Sequence, residues 1–127
     1  MAISQKKSNR KYTGGRYKKA FSKKKANNGS MPAMTKLGED KPRDSRVLGG
    51  NIKSKLLVAE TVQVANTKTK KVSSDTIVNI IENDSNRNYI RRNIITKGAV
   101  VELKSGKKAK ITSRPGQNKV LSAVLIE

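Results

Sequence analysis

Residues 99–113, Ala-Val-Val-Glu-Leu-Lys-Ser-Gly-Lys-Lys-Ala-Lys-Ile-Thr-Ser, decide the fold. Ala99, Val101 and Leu103 fall on one face, Glu102 and Lys104 on the other. Ser105-Gly106 then turns the chain, and Ala109 and Ile111 resume the inward rhythm. Apolar residues at a period of two, broken by a glycine turn, predict paired strands with one buried face.

The same texture extends both ways. Leu56 to Ala65 (LLVAETVQVA) reads as one strand with Leu56, Val58, Val62 and Val64 on a shared face. Asn66 to Lys71 is a polar loop. Val72 to Glu82 holds a second strand, best defined from Thr76 to Ile81, and Asn83 to Asn88 is a turn. Tyr89 to Thr96 is ambiguous, with a short strand at Ile94-Ile95. Downstream, Arg114-Pro115-Gly116-Gln117 fits a type II turn, with proline presetting φ and glycine supplying a positive φ. Val120 to Ile126 is apolar on both faces, which suits a central or barrel-closing strand.

Upstream of Leu56 the pattern dissolves. Arg43 to Lys55 alternates cations with small residues around Gly49-Gly50 and reads as an extended segment. Gly38 to Pro42 and Asn27 to Ser30 are breaks, and Met31 to Leu37 is weakly apolar, expected to pack loosely. Short strands without a convincing helix predict an all-β chain: a small antiparallel β-barrel with a long basic N-terminal extension lacking regular structure. The expected division is 1–45, a basic extended arm and linker, and 46–127, the barrel. Its core would be Val, Ile and Leu, almost free of aromatics.

Charge separates these parts. The 127 residues carry 29 Lys and Arg against 9 Asp and Glu, net +20. Residues 1–55 hold 16 basic and 3 acidic residues, residues 56–127 hold 13 and 6. An excess of that size points to nucleic acid or an anionic surface. Lys6 to Lys25 contains no acid and no apolar periodicity, so alone in water it is expected to be disordered. It interleaves Lys6, Lys7, Arg10, Lys11, Arg16, Lys18, Lys19, Lys23, Lys24 and Lys25 with Tyr12, Tyr17 and Phe21. Cations take phosphates and rings take exposed bases or sugars, so the segment suits a folded RNA.

Three further motifs extend that surface. Gly14 and Gly15, between Thr13 and Arg16, either let the backbone approach a phosphate or act as a hinge. Arg46, Gly49, Gly50, Asn51, Lys53 and Lys55, with Arg43 before them, place cations around a second glycine pair that also reads as a tight turn. Arg87, Tyr89, Arg91 and Arg92 lie among three asparagines; arginine forks onto phosphate, asparagine reads base edges, and Tyr89 stacks or tucks into the core. Lys97 and Arg114 sit at turns.

The chain has no Cys and no His, which removes disulfides, thiol nucleophiles, zinc fingers and imidazole acid–base chemistry. The acids form no ligand-like spacing, so their expected work is capping, turn bonding and local charge balance. No catalytic residue, metal, cofactor or small-molecule substrate is expected. Nothing apolar follows the basic start and the longest apolar run is too short to span a bilayer, so neither a leader nor a membrane association is expected.

Together the motifs resemble a known family, the eight-e proteins of the archaeal and eukaryotic small ribosomal subunit. The resemblance rests on Arg10-Lys11-x-Thr-Gly-Gly-Arg16, Leu37-Gly38-Glu39-Asp40 and Arg46-x-x-Gly49-Gly50-Asn51-x-Lys53. It continues through Glu82-Asn83, Asn86-Arg87-x-Tyr89-x-Arg91-Arg92-Asn93 to Ala99, Thr112 to Gln117, and Ala123 to Glu127. These span almost the whole chain in the family's order, and the length resembles the archaeal form. Leu48 and Lys55 stand where the family tends to carry Arg. The resemblance implies a cytoplasmic structural constituent of the small subunit. Its barrel would sit on small-subunit ribosomal RNA beside neighbouring small-subunit ribosomal proteins, with the arm threaded along the RNA. The rival reading is a general nucleic-acid-binding barrel of nucleoid or cold-shock type, which would need aromatics on its strands as a base platform.

Overall fold

A computed structural model describes residues 3–4, 10–17 and 28–126. The chain divides into two compact units, Met1–Pro32 and Ala33–Glu127. In the first, β1 (Ile3–Ser4) pairs antiparallel with β2 (Asn28–Gly29). Lys6, Lys7, Lys18, Lys19, Phe21 and Lys23 to Lys25 lie outside the described residues, and so does most of the stretch expected to be disordered.

The second unit begins with a small sheet. β3 (Lys36–Leu37) and β4 (Lys41–Arg46) flank β5 (Ile52–Ala59), parallel and antiparallel to it respectively. Thr35, 2% exposed, donates its hydroxyl to the Leu56 carbonyl at 2.7 Å and accepts from the Ile95 N–H at 2.8 Å. Within residues 31–37, Thr35 and Leu37 are firmly seated, while Met31 and Met34 stay exposed. Thr35 and β3 tie β5 to the Asn93–Ile95 segment, through long-range hydrogen bonds that a weak hydropathy pattern conceals.

The barrel follows: β6 (Thr61–Asn66), β7 (Lys71–Glu82), β8 (Val100–Leu103), β9 (Lys108–Ile111) and β10 (Ser122–Ile126). Consecutive strands pair antiparallel, and β10 closes on β6 in parallel, Ser122 opposite Gln63. The parallel seam follows from arithmetic. In a five-strand meander the first and last strands run the same way, so closure cannot be antiparallel. β7 serves two partners, Lys71 to Thr76 facing β6 and Ile77 to Glu82 facing β8, with register shifts at Ile77/Asn79 and Ile80/Glu82 that bend it around the barrel.

Inward positions match the alternation read from the sequence. Ala99, Val101, Leu103, Ala109 and Ile111 are buried, joined by Val62, Val64, Ile77, Ile80, Ile95, Leu121 and Ala123. Of the two positions its apolar faces suited, central or barrel-closing, β10 takes the closing one.

Three further local expectations change. Arg43 to Lys55 is not a single extended segment but folds back on itself in the β4–β5 hairpin, whose ladder pairs its two halves. Leu56 to Ala65 is two strands, not one. Asp40 accepts hydrogen bonds from the Glu60 N–H at 2.7 Å, the Thr61 N–H at 3.3 Å and the Thr61 hydroxyl, making a corner between β5 and β6. Burial switches parity there, so Ala59 is enclosed and Val58 only half-buried. The turn at Arg114 is not type II, because Gly116 does not take a positive φ. The Arg114 carbonyl accepts from the N–H groups of both Gln117 and Asn118, at 2.9 and 3.1 Å, a helical turn.

Candidate nucleic-acid interface

The end of the barrel where β7 and β9 finish carries the connections β7–β8 and β9–β10. The first is a loop containing one helical turn, α1 (Asn88–Arg91), where the sequence suggested no helix. Four residues are too few to show a 3.6-residue period. The loop starts at Asn83, 7% exposed, which is its clamp. The Asn83 side-chain amide donates to the Ile94 carbonyl at 3.2 Å. Its oxygen accepts from the Ser85 N–H at 3.0 Å and the Thr96 hydroxyl at 2.9 Å. Both ends of the loop are thus held by one side chain. Within it, the Asn86 oxygen accepts from the Asn88 N–H at 2.8 Å, and Asn93 takes a φ of 49°, a left-handed geometry asparagine tolerates.

This scaffold presents Arg87, Arg91 and Arg92 to solvent. Asn88, Arg91 and Arg92 line a shallow concavity of about 430 Å³. Tyr89 is half-buried, between stacking platform and core residue; its carbonyl accepts from the Ile94 N–H. Ile94 and Ile95 are buried as expected, though in place of a strand Ile94 makes a single bridge to Lys36. Lys97 precedes Gly98, whose φ of 90° and N–H bond to the Ile111 carbonyl fix the step into the barrel. Arg114 is exposed on its helical turn, and the Leu56 N–H to Pro115 carbonyl bond ties that turn to β5.

The β4–β5 hairpin is tied to the β9–β10 connection by Asp44 and Leu56. Its tip is a 3-10 turn, Leu48–Gly50, in which Gly49 and Gly50 take φ of 78° and 77°. Asn51 donates its side-chain amide to the Leu48 carbonyl, so its role here is to close the turn. Arg43, Arg46 and Lys53 are exposed and Lys55 half-buried. Asp44, from β4, pairs with Lys119 at 2.8 Å.

In the first unit, Arg10 to Arg16 is a hairpin turn. The Gly14 N–H donates to the Lys11 carbonyl at 3.0 Å and the Lys11 N–H to the Gly15 carbonyl at 2.7 Å. Gly14 supplies a φ of 83°. This is a three-residue hairpin loop with glycine in the left-handed position, rather than a hinge. Tyr12 stands at the tip, 103% exposed, and the Lys11 ammonium lies 5.5 Å from the centre of the Tyr17 ring. Arg10 and Arg16 sit opposite each other in register. The Arg10 guanidinium donates to the Gly14 carbonyl at 3.2 Å, across the turn.

Asp40, Asp44 and Asp75 serve the scaffold. Burial pushes the Asp40 carboxyl up, but hydrogen bonds from the Thr61 hydroxyl and the Glu60 and Thr61 N–H groups outweigh it and hold it below the usual 3.8. The hydrogen bond from Lys119, then that from Ser54, lowers Asp44. The Ser105 hydroxyl, 2.6 Å away, lowers Asp75. Among the described residues no three acidic, His or Cys side chains group to hold a metal ion. No helix among them is long and apolar enough to cross a membrane.

A closed barrel whose turns carry exposed cations, and whose Asp40, Asp44 and Asp75 bond within the scaffold, defines a basic scaffold protein. Comparison with known proteins makes this specific. The family model of ribosomal protein S8e matches residues 4–126. Similar chains are the small ribosomal subunit proteins eS8 of Methanococcus aeolicus (48% identical over 127 residues, 99% of this chain and 98% of the relative), Methanospirillum hungatei (45% over 118, 93% and 94%) and Methanobrevibacter smithii (45% over 126, 99% and 100%). The chain belongs to the ribosomal protein S8e family and is a structural ribosomal protein, not an enzyme.

Proposed function

We propose that this chain is built into the small ribosomal subunit of the cytoplasmic ribosome, where it binds ribosomal RNA and lies against neighbouring ribosomal proteins. The contacts come from the basic segment 1–45, with the Arg10–Arg16 hairpin at its centre, and from the arginine end of the barrel. The observation that carries this reading is the Asn83-clamped loop, which holds Arg87, Arg91 and Arg92 outward on a fixed frame. Three neighbouring guanidiniums are stable together when phosphates face them. The nucleoid or cold-shock alternative is disfavoured because β6 to β10 carry no aromatic residue for a base platform.

Filter binding to small-subunit ribosomal RNA across a salt series tests it. Arg91→Ala with Arg92→Ala should weaken binding and flatten the slope of log K against log salt by roughly 1.5, near 0.7 to 0.9 per lost phosphate contact. Removing residues 1–30 should abolish tight binding. An unchanged slope takes the two arginines off the RNA surface, and full binding by the truncated chain takes the arm out of the role of anchor.

A further inference from the structure

The other end of the barrel carries charge that the site above leaves unused. β6, β8 and β10 all run towards it, because two antiparallel pairings separate β6 from β8 and β10 lies parallel to β6. The β6–β7 and β8–β9 turns therefore meet there. They bring Lys68, Lys70 and Lys71 together with Lys104, Lys107 and Lys108, residues far apart in sequence and all exposed. Between the turns opens a concavity of about 710 Å³, rimmed by Asn66, Lys68, Lys107 and Lys108 and backed by Leu125 and Ile126. Two carboxylates of the described residues lie near these turns. Glu102 lies opposite Lys108 in register, and Asp75 bonds Ser105 and lies within electrostatic reach of Lys104.

The two ends differ in chemistry. The first presents arginines, whose planar forks fix a phosphate in one orientation. The second presents only lysines, point charges that accept phosphates in many registers. The apolar backing favours a nucleic acid over an acidic peptide. A ribose or base face covers Leu125 and Ile126 while the phosphates on either side of it meet the lysine rim.

We infer that the lysine end is a second, sequence-independent site for the RNA backbone, so that the barrel bridges two separate RNA segments. The inference rests on the RNA-binding reading above. It is tested by hydroxyl-radical footprinting of full-length small-subunit ribosomal RNA bound by the full chain, with Lys70→Gln/Lys107→Gln/Lys108→Gln beside Arg91→Gln/Arg92→Gln. The wild type should protect distinct tracts for the two ends. The lysine variant should lose one, keep the other, and lower the salt slope by about 2, while the arginine variant loses the other tract. Arginine at the same three positions should restore the lysine footprint, which separates loss of charge from loss of fold. A lysine variant retaining every protection and the full slope overturns the inference. So does crosslinking of Lys70 and Lys107 in assembled subunits to protein rather than RNA. Absence of any protection by the wild type would instead remove the RNA-binding reading itself.

Discussion

Asn83→Ala should weaken both the fold and the interface without removing a single cation. Asn83 is buried and makes three hydrogen bonds, to the Ile94 carbonyl, the Ser85 N–H and the Thr96 hydroxyl. Each bond contributes about 1 kcal/mol net, and truncation also strands buried partners, so the expected loss is about 3 kcal/mol. For a unit of this size that lowers the melting midpoint by about 15 °C. Asn83→Asp is the sharper variant. It keeps both acceptor bonds, but sets a carboxylate against the Ile94 carbonyl where an N–H donor stood. It should therefore be nearly as destabilised at pH 7 and partly recover as the carboxyl protonates and can donate. Urea unfolding with RNA binding on the same samples measures both effects. If Asn83→Ala unfolds within about 0.5 kcal/mol of the wild type, the range of an ordinary surface change, the clamp argument is wrong.

Ile80→Ala, in the middle of the aliphatic core, should cost about 3 kcal/mol, read by urea unfolding, because no aromatic neighbour is available to collapse into the space. Asp40, Asp44 and Asp75 all have lowered pKa values in the folded chain. Their stabilisation is complete above the unfolded carboxyl value of 3.8 and is lost as pH falls through the lower folded values, so the unfolding midpoint should hold from pH 7 to 5 and drop below about pH 4; Asp40→Asn should be weaker at neutral pH and show a shallower acid drop. Gly14→Ala meets no neighbour but must take a φ of 83°, costing about 1 kcal/mol of hairpin stability, and should reduce RNA affinity while leaving the melting of the barrel unchanged.

The barrel was legible where burial follows a local rhythm. Ala99 to Ile111 shows its inward face directly, and the two apolar faces of Val120 to Ile126 narrowed it to a central or a closing strand. What local pattern could not show depends on partners distant in sequence. The corner at Glu60 is made by Asp40, and the firm seating of Thr35 by Leu56 and Ile95. Of the candidate site, Arg87, Arg91 and Arg92 stood out by their crowding, and the structure adds the Asn83 clamp that aims them. The lysine end had no sequence signal. Lys68 and Lys107 lie in separate, ordinary-looking turns, and only the direction of the strands between them brings them to one place.

The parallel seam has a consequence for how the molecule comes into being. β10 is the last barrel strand to emerge during synthesis, and its partner β6 precedes it by some sixty positions, Gln63 against Ser122. Until it arrives, the free edges of β6 and β9 are templates for a neighbouring chain. Pairing over that separation in sequence is also slow. The lysines of β7 and β9 and of their turns give each unfinished sheet a like charge, and repulsion between copies opposes such edge-to-edge joining while β10 is still missing.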